Sequence, residues 1–306
     1  MRRIVLLALL ALAGLVVVLN WTWGRLPGEP TPTGRFATID GVRIRYLEHA
    51  GADPAIVLVH GLPGTANDFD KVVALLPGRH TIALDRPGFG YSDGGYHSMD
   101  RQLTLLKGLL DARGIARPIV VGHSYGGTIA LEFADRYPSD VRGLVLVDAA
   151  AGGERSGWFQ RAQSRFVQLL SWPVVQPLAD ATFSQLVRSA SAKQADTAAF
   201  DPNPVDPAHE HRVLAINMRH EDLDAFAGEQ LRADGVITAL DRRLSSIATP
   251  SVVIQGDHDK FVKPAHGRRI AALLSHARLV MVSGGHMAPY VHPGVVAAAA
   301  RSLLSP

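Results

Sequence analysis

Gly122-His123-Ser124-Tyr125-Gly126-Gly127 constrains the chain more than any other segment. A short β-branched run, Pro118-Ile119-Val120-Val121, precedes it. A run with apolar residues three and four apart, Thr128-Ile129-Ala130-Leu131-Glu132-Phe133-Ala134, follows. A strand that turns at once into a helix holds its turn residue in strained backbone geometry. Residues two positions away must then be small, as Gly122 and Gly126 are. Such a turn exposes the Ser124 hydroxyl at the carboxyl end of its strand, and the first helical amides face the same space, where they favour developing negative charge.

The sequence has 306 residues, room for a substantial core. A formal net charge of +3 without a long basic run argues against a nucleic-acid partner. With no cysteine there is no disulfide, no zinc–thiolate site and no thiol nucleophile. Residues 4–19 are uninterrupted apolar sequence. As a helix they reach about 24 Å, and about 30 Å if extended to Trp23, the thickness of a bilayer core. Arg2 and Arg3 precede the run, and Trp21 and Trp23 follow it where an interfacial belt would lie. An uncleaved transmembrane helix is expected, with the remainder outside the cytoplasm. A cleaved signal peptide is the alternative, although Asn20-Trp21-Thr22-Trp23 is a poor cleavage context; a buried soluble helix is the third reading.

Residues 24–34, GRLPGEPTPTG, read as a semi-extended tether. Beyond it, β-like runs at 42–47, 55–59, 81–84, 119–121, 144–147, 251–254 and 279–282 alternate with helical runs near 69–76, 99–113, 126–137, 264–274 and 295–304. Several β-like runs are apolar without alternation, as in parallel strands covered on both faces. The order predicts a doubly wound, mostly parallel α/β sheet opened by a hairpin over 36–47. The strand signal stops between about Gly152 and Leu244. The expected organisation is an anchor at 1–23, a linker at 24–34, a first core part at 35–151, a helical cap at 152–245 and a second core part at 246–306.

A serine hydroxyl needs a base, and the base needs an orienting group. In open α/β sheets such partners lie just after strand ends. Val252-Val253-Ile254-Gln255-Gly256 leads into Asp257-His258-Asp259, and Leu279-Val280-Met281-Val282-Ser283 leads into Gly284-Gly285-His286. His286 is the expected base and Asp259 the expected acid. Asp148, also at a strand end, and Asp257 are the other candidate acids; Asp257 suits turn support better. An oxyanion needs two donors. The Tyr125 amide is one. The Leu62 amide, in His60-Gly61-Leu62-Pro63-Gly64, is assigned as the other, with His60 as a loop brace.

His60-Gly61, Asp85-Arg86-Pro87-Gly88-Phe89-Gly90-Tyr91-Ser92, the Ser124 turn, Gly256-Asp257-His258-Asp259 and Gly285-His286 together resemble the α/β-hydrolase superfamily. They are similar to its branch of haloperoxidase-like esterases, haloalkane dehalogenases, epoxide hydrolases and meta-cleavage-product hydrolases. The resemblance covers about 36–150 and 248–304. It implies an α/β-hydrolase fold, a Ser–His–Asp triad, no cofactor, and a helical cap between the sheet halves. Dehalogenases and epoxide hydrolases of this branch use an aspartate where this chain has Ser124, which favours acyl chemistry. The Asp85–Ser92 loop is expected to brace the site.

Within 152–245, Trp158, Phe159, Phe166, Leu169, Leu170, Trp172, Val174, Val175, Phe183, Leu186 and Phe226 suggest packing, with some of them lining an apolar pocket. His209-Glu210-His211 and His220-Glu221-Asp222 lack metal-ligand spacing; no metal site is assigned, and a solvated cap face is expected there. The expected activity is hydrolysis of a small or apolar carboxylic ester by a membrane-anchored serine enzyme. A carbon–carbon bond hydrolase is the alternative, and a non-catalytic ligand receptor on the same fold is the reading from another class.

Overall fold

Strands that must be buried on both faces need apolar residues at every position, and three central ones have nearly that. In a computed structural model describing residues 2–153, 158–170, 172 and 174–304, the runs 119–123, 143–147 and 251–256 are buried throughout. The strands are β1 (Arg35–Ile39), β2 (Val42–His49), β3 (Ala52–Val59), β4 (Arg79–Leu84), β5 (Ile119–His123), β6 (Gly143–Val147), β7 (Ser251–Gly256) and β8 (Ala277–Val282). They form one eight-stranded sheet in the order β1-β2-β4-β3-β5-β6-β7-β8. β2 pairs antiparallel with both of its neighbours, and all other pairings are parallel. The expected α/β-hydrolase sheet, with its opening hairpin, is therefore present.

Side-chain alternation along each strand divides the interior in two. Val57, Val59, Val120, Leu144 and Leu146 face a core shared with the helices Met99–Ala112, Tyr125–Arg136 and Pro264–Leu273. Ile56, Leu58, Ile119, Val121, Val145 and Val147 face the opposite core, closed by Asp70–Ala74 and Pro293–Ser302. Period two in the strands thus feeds both layers of a doubly wound domain. The expected helix near 69–76 is instead a 3-10 turn, Ala66–Phe69, followed by a short α-helix, Asp70–Ala74. Asp85, just after β4, takes the Ala66 amide at 2.7 Å and holds that turn in place.

β3 lies between β4 and β5, so the chain reverses its direction of travel across the sheet there. A crevice opens outside the carboxyl ends of such neighbouring strands. Between β6 and β7 the described residues are helical: Trp158–Leu170, Gln176–Thr182, Ser184–Phe200, Pro207–Arg212, a π-turn at Val213–Asn217, and His220–Asp241.

The amino-terminal helix runs from Arg2 to Thr22. Its segment Val5–Thr22 has a mean hydropathy of 2.4, and by length and composition it is apolar enough to cross a membrane. Its far end meets the helices after β6: Asn20 Nδ2 donates to the Asp180 carbonyl at 2.8 Å, and Asn20 Oδ1 accepts from the Leu186 amide at 3.0 Å. Residues 24–34 carry no regular structure but are tied down, with Arg219 bonding Glu29 at 2.7 Å and Arg45 bonding the Thr33 carbonyl at 2.7 Å.

Candidate active site

The turn after β5 has the strain its sequence demands. Ser124 sits at φ 53° and ψ −121°. A Cβ on Gly122 would lie 2.3 Å from the Gly126 carbonyl oxygen, and one on Gly126 would lie 2.1 Å from that of Val59. No side chain fits at either place. The Ser124 amide donates to the Val147 carbonyl at 2.9 Å, and the Ser124 carbonyl accepts from Ala150 at 3.0 Å, which pins the turn to β6. The helix Tyr125–Arg136 begins directly after it, so the Tyr125 amide belongs to the set of helix-start donors without a partner inside the helix.

Because β3 to β8 run the same way, the carboxyl ends of β5, β7 and β8 share one edge. Three distant side chains meet there. His286 Nε2 lies 2.9 Å from Ser124 Oγ, and His286 Nδ1 lies 2.7 Å from Asp259 Oδ2. Asp259 Oδ1 accepts from the Phe261 and Val262 amides at 2.8 and 2.9 Å. Burial raises the Asp259 carboxyl, but His286 and these amides outweigh it and leave it below the usual carboxylate range. Burial pushes the His286 imidazolium down, whereas the Asp259 carboxylate more than offsets this and leaves His286 above its ordinary value.

The other two candidate acids do different work. Asp148 accepts from the Gly256 amide at 2.8 Å and is fully buried; burial, with Asp259 nearby, pushes it up to about 7. Asp257 accepts from the Gly284 amide at 3.0 Å, tying the loop after β7 to the loop after β8.

The loop after β3 reaches the same edge. A Cβ on Gly61 would lie 3.0 Å from Ser124 Cβ, so backbone passes directly beside the hydroxyl, with Leu62 next in the chain. His60 shapes this loop: its Nδ1 donates to the Gly61 carbonyl at 2.9 Å and its Nε2 accepts from the Arg86 amide at 2.9 Å. Burial, then Arg86, holds His60 well below its usual pKa, so it stays neutral.

Two contributors were not singled out by sequence reasoning. His123 Nε2 donates to the His286 carbonyl at 2.8 Å; burial and then His286 lower its pKa to about 3, so it remains a neutral donor. Its only sequence signal was its place beside Ser124. Glu229, from the helix His220–Asp241, accepts from Arg86 and from Gln102, both at 2.7 Å, while Arg86 also donates to the Gly61 carbonyl at 2.7 Å. Arg86 and Glu229 are both almost completely buried. The helical segment after β6 is thereby joined to the loop that runs beside Ser124.

His123, Asp148 and His286 place possible ligand atoms within 4.8 Å of one another. Both ring nitrogens of His286 already face Ser124 and Asp259, and His123 Nε2 faces a carbonyl, so the cluster is organised as a hydrogen-bond network. His209 departs from the expected solvated face. It is buried, with its ring 5.2 Å from Phe200 and 4.8 Å from Tyr290. His211 is exposed, as two positions along a helix require.

A strained serine turn at a sheet edge, with an imidazole and a carboxylate in line behind it, defines a class of hydrolases. The chain belongs to the α/β-hydrolase superfamily: the model of the alpha/beta hydrolase fold matches residues 54–293. Among curated relatives it is 30% identical over 263 residues to Lipase 1 of Psychrobacter immobilis, covering 81% of this chain and 76% of that protein. It is also 30% identical over 258 residues to a 2-hydroxy-6-oxo-6-phenylhexa-2,4-dienoate hydrolase of Comamonas testosteroni, covering 81% and 86% respectively. Among solved structures, an α/β-hydrolase-fold protein of Burkholderia ambifaria superposes with a TM-score of 0.75 at 21% identity, over 89% of this chain and 98% of that one.

Proposed function

We propose that this hydrolase is a membrane-anchored serine enzyme that cleaves a carboxylic ester of a small or apolar substrate through an acyl-enzyme. The observation that carries this reading is the 2.9 Å approach of Ser124 Oγ to an imidazole whose other nitrogen lies 2.7 Å from a buried carboxylate. Ser124 Oγ attacks the ester carbonyl while its proton passes to His286 Nε2. Asp259 fixes the Nδ1–H tautomer and stabilises the imidazolium. The Leu62 and Tyr125 amides receive the oxyanion. The tetrahedral adduct then collapses: the ester C–O bond breaks and the alcohol leaves with the proton from His286. Water, deprotonated by His286, attacks the acyl carbon, and the acid departs as Ser124 Oγ takes the proton back.

On this reading residues 1–23 are the anchor, 24–34 the linker, 35–151 and 246–306 the two parts of the catalytic core, and 152–245 the cap. Arg2, Arg3 and the terminal amine tip the balance, against Arg25 and Arg35 on the other side, toward a catalytic body outside the cytoplasm. The likeness to a lipase supports ester chemistry. The comparable likeness to a dienoate hydrolase is the specific observation behind a second reading, carbon–carbon bond hydrolysis with the same three side chains.

A fluorophosphonate probe should label the wild-type chain and fail to label Ser124→Ala. Labelling that survives this substitution refutes the nucleophile. Nitrophenyl esters and a vinylogous diketone, assayed on one preparation, separate the two readings: turnover of the diketone alone overturns the ester assignment.

A further inference from the structure

We infer that the segment around Trp172, Val174 and Leu178 seats in the bilayer surface, and that the substrate is an acyl ester drawn from the membrane rather than from solution. The inference rests on the anchor and ester readings above and adds where the body stands relative to the lipid.

The amino-terminal helix protrudes from the body. Leu6, Leu7, Leu9, Leu10, Leu12 and Leu15 are all exposed, whereas Asn20 is fully buried. A Cβ on Gly24 would lie 2.4 Å from Leu186 Cα, so the chain is in hard contact with the body by that point. Val5–Thr22, at 1.5 Å per residue, is about 27 Å long, close to a hydrocarbon core. A helix that spans can therefore cross only with its Asn20 end at the interface, and whatever touches that end is held at the headgroups.

The elements that touch it belong to the segment between β6 and β7. Asp180 accepts from Asn20, the Ala181 carbonyl accepts from Trp21 Nε1 at 2.9 Å, and the Leu186 amide donates to Asn20. Leu178 lies less than one helical turn from Ala181, and the chain leads back from it through Val174 to Trp172. These three are 69%, 90% and 62% exposed, and Trp21 and Trp23 at the end of the amino-terminal helix are exposed too. Sequence analysis expected Trp172 and Val174 to pack inside. In water, such apolar side chains around a helix end are unfavourable; at a bilayer surface they bury, and indole rings suit the boundary. The patch lies on the stretch of chain that leads directly into Asp180 and Ala181, which hold the end of the helix that enters the lipid, and this makes the bilayer its occupant.

The same segment leads to the chemistry. The helix Ser184–Phe200 starts next to Asn20 and ends with the Ala199 carbonyl accepting from the His286 amide at 2.7 Å. Leu186 to Ala199 is roughly 20 Å of helix. The Ser124 edge thus stands at most about one helix length from the lipid surface, a path that joins the interface to the chemistry through a single element.

Because the chain has no cysteine, Val174→Cys supplies one site for an environment-sensitive dye. The labelled full chain is reconstituted in phosphatidylcholine vesicles, with Ser275→Cys, exposed at the amino end of β8, as the solvent control. The dye at 174 should be quenched by lipids carrying a nitroxide near the glycerol and shielded from aqueous iodide, while the dye at 275 shows the reverse. Val174→Ser combined with Leu178→Ser should cut hydrolysis of a vesicle-borne lipid ester about tenfold and leave a short soluble nitrophenyl ester unchanged. A dye at 174 open to iodide on vesicle-bound protein overturns the seating, and equal losses on both esters overturn the membrane-drawn substrate. Protein washed off vesicles by carbonate refutes the anchor and the seating with it. A chain that stays embedded but cleaves neither ester refutes the ester reading alone.

Discussion

Replacing Asp259 by Asn tests the arrangement at its most specific point. The carboxylate has two different faces. Oδ1 takes two backbone amides, Phe261 and Val262, and Oδ2 faces His286 Nδ1 at 2.7 Å. An asparagine keeps the backbone bonds only by placing its carbonyl oxygen at Oδ1, which leaves its NH2 facing Nδ1. The imidazole must then present a lone pair at Nδ1 and carry its proton at Nε2. In that tautomer Nε2 donates to Ser124 Oγ and cannot take its proton. A wrong-tautomer imidazole costs about 10⁴ in kcat in a Ser–His–Asp enzyme, or about 5 kcal/mol of barrier. The expected result with a nitrophenyl ester is a loss of that order in kcat, with KM changed far less. The pH profile should move as well. Asp259 holds His286 above its ordinary pKa against burial; without that carboxylate, burial dominates. The acid limb of the residual activity should therefore shift to lower pH. A loss below tenfold, or an acid limb that stays in place, would refute the role assigned to Asp259, and a matching loss in Asp148→Asn would transfer that role to Asp148.

Gly126→Ala drives a Cβ to within 2.1 Å of the Val59 carbonyl oxygen, so β3 or the turn must move. We expect destabilisation of about 3 kcal/mol or more, or no soluble folded protein, by thermal unfolding. Gly235→Ala, in the helix His220–Asp241 with open space around its Cβ position, should instead stabilise by about 0.5–1 kcal/mol. Equal effects at the two glycines would contradict the steric account. Glu229→Ala leaves Arg86 buried without its carboxylate and should cost about 3–5 kcal/mol in urea unfolding. Glu229→Gln should cost less, because it retains an acceptor for Arg86. A loss below about 1 kcal/mol for Glu229→Ala would mean that the pair is not closed as described.

The fold and the meeting of Ser124, His286 and Asp259 were legible because each depends on local pattern. Apolar runs without alternation marked β5 and β7, buried throughout, and the half-buried β8, and each side chain lies within four residues of the end of one of these strands. Glycine at 122 and 126 marked the strained turn. The Arg86–Glu229 contact was not legible: 143 residues separate the partners, and Glu229 lies in a helix among other charged residues. His209 was misplaced for a related reason. A polar triplet at the surface and one folded against Phe200 and Tyr290 look the same in one dimension. Trp172 and Val174 fail in the opposite direction, since apolarity marks removal from water without saying whether protein or lipid supplies the cover.

β8 is the last strand of the sheet in chain order and also its edge, and His286 hangs from the loop just beyond it. During synthesis the serine turn can form as soon as β3, β5 and β6 have paired, more than a hundred residues before the base has been made. Until residue 286 is made, the Ser124 hydroxyl stands without the imidazole that faces it in the folded chain. A chain cut short between β6 and β8 would keep the strained turn and lack the imidazole that faces it.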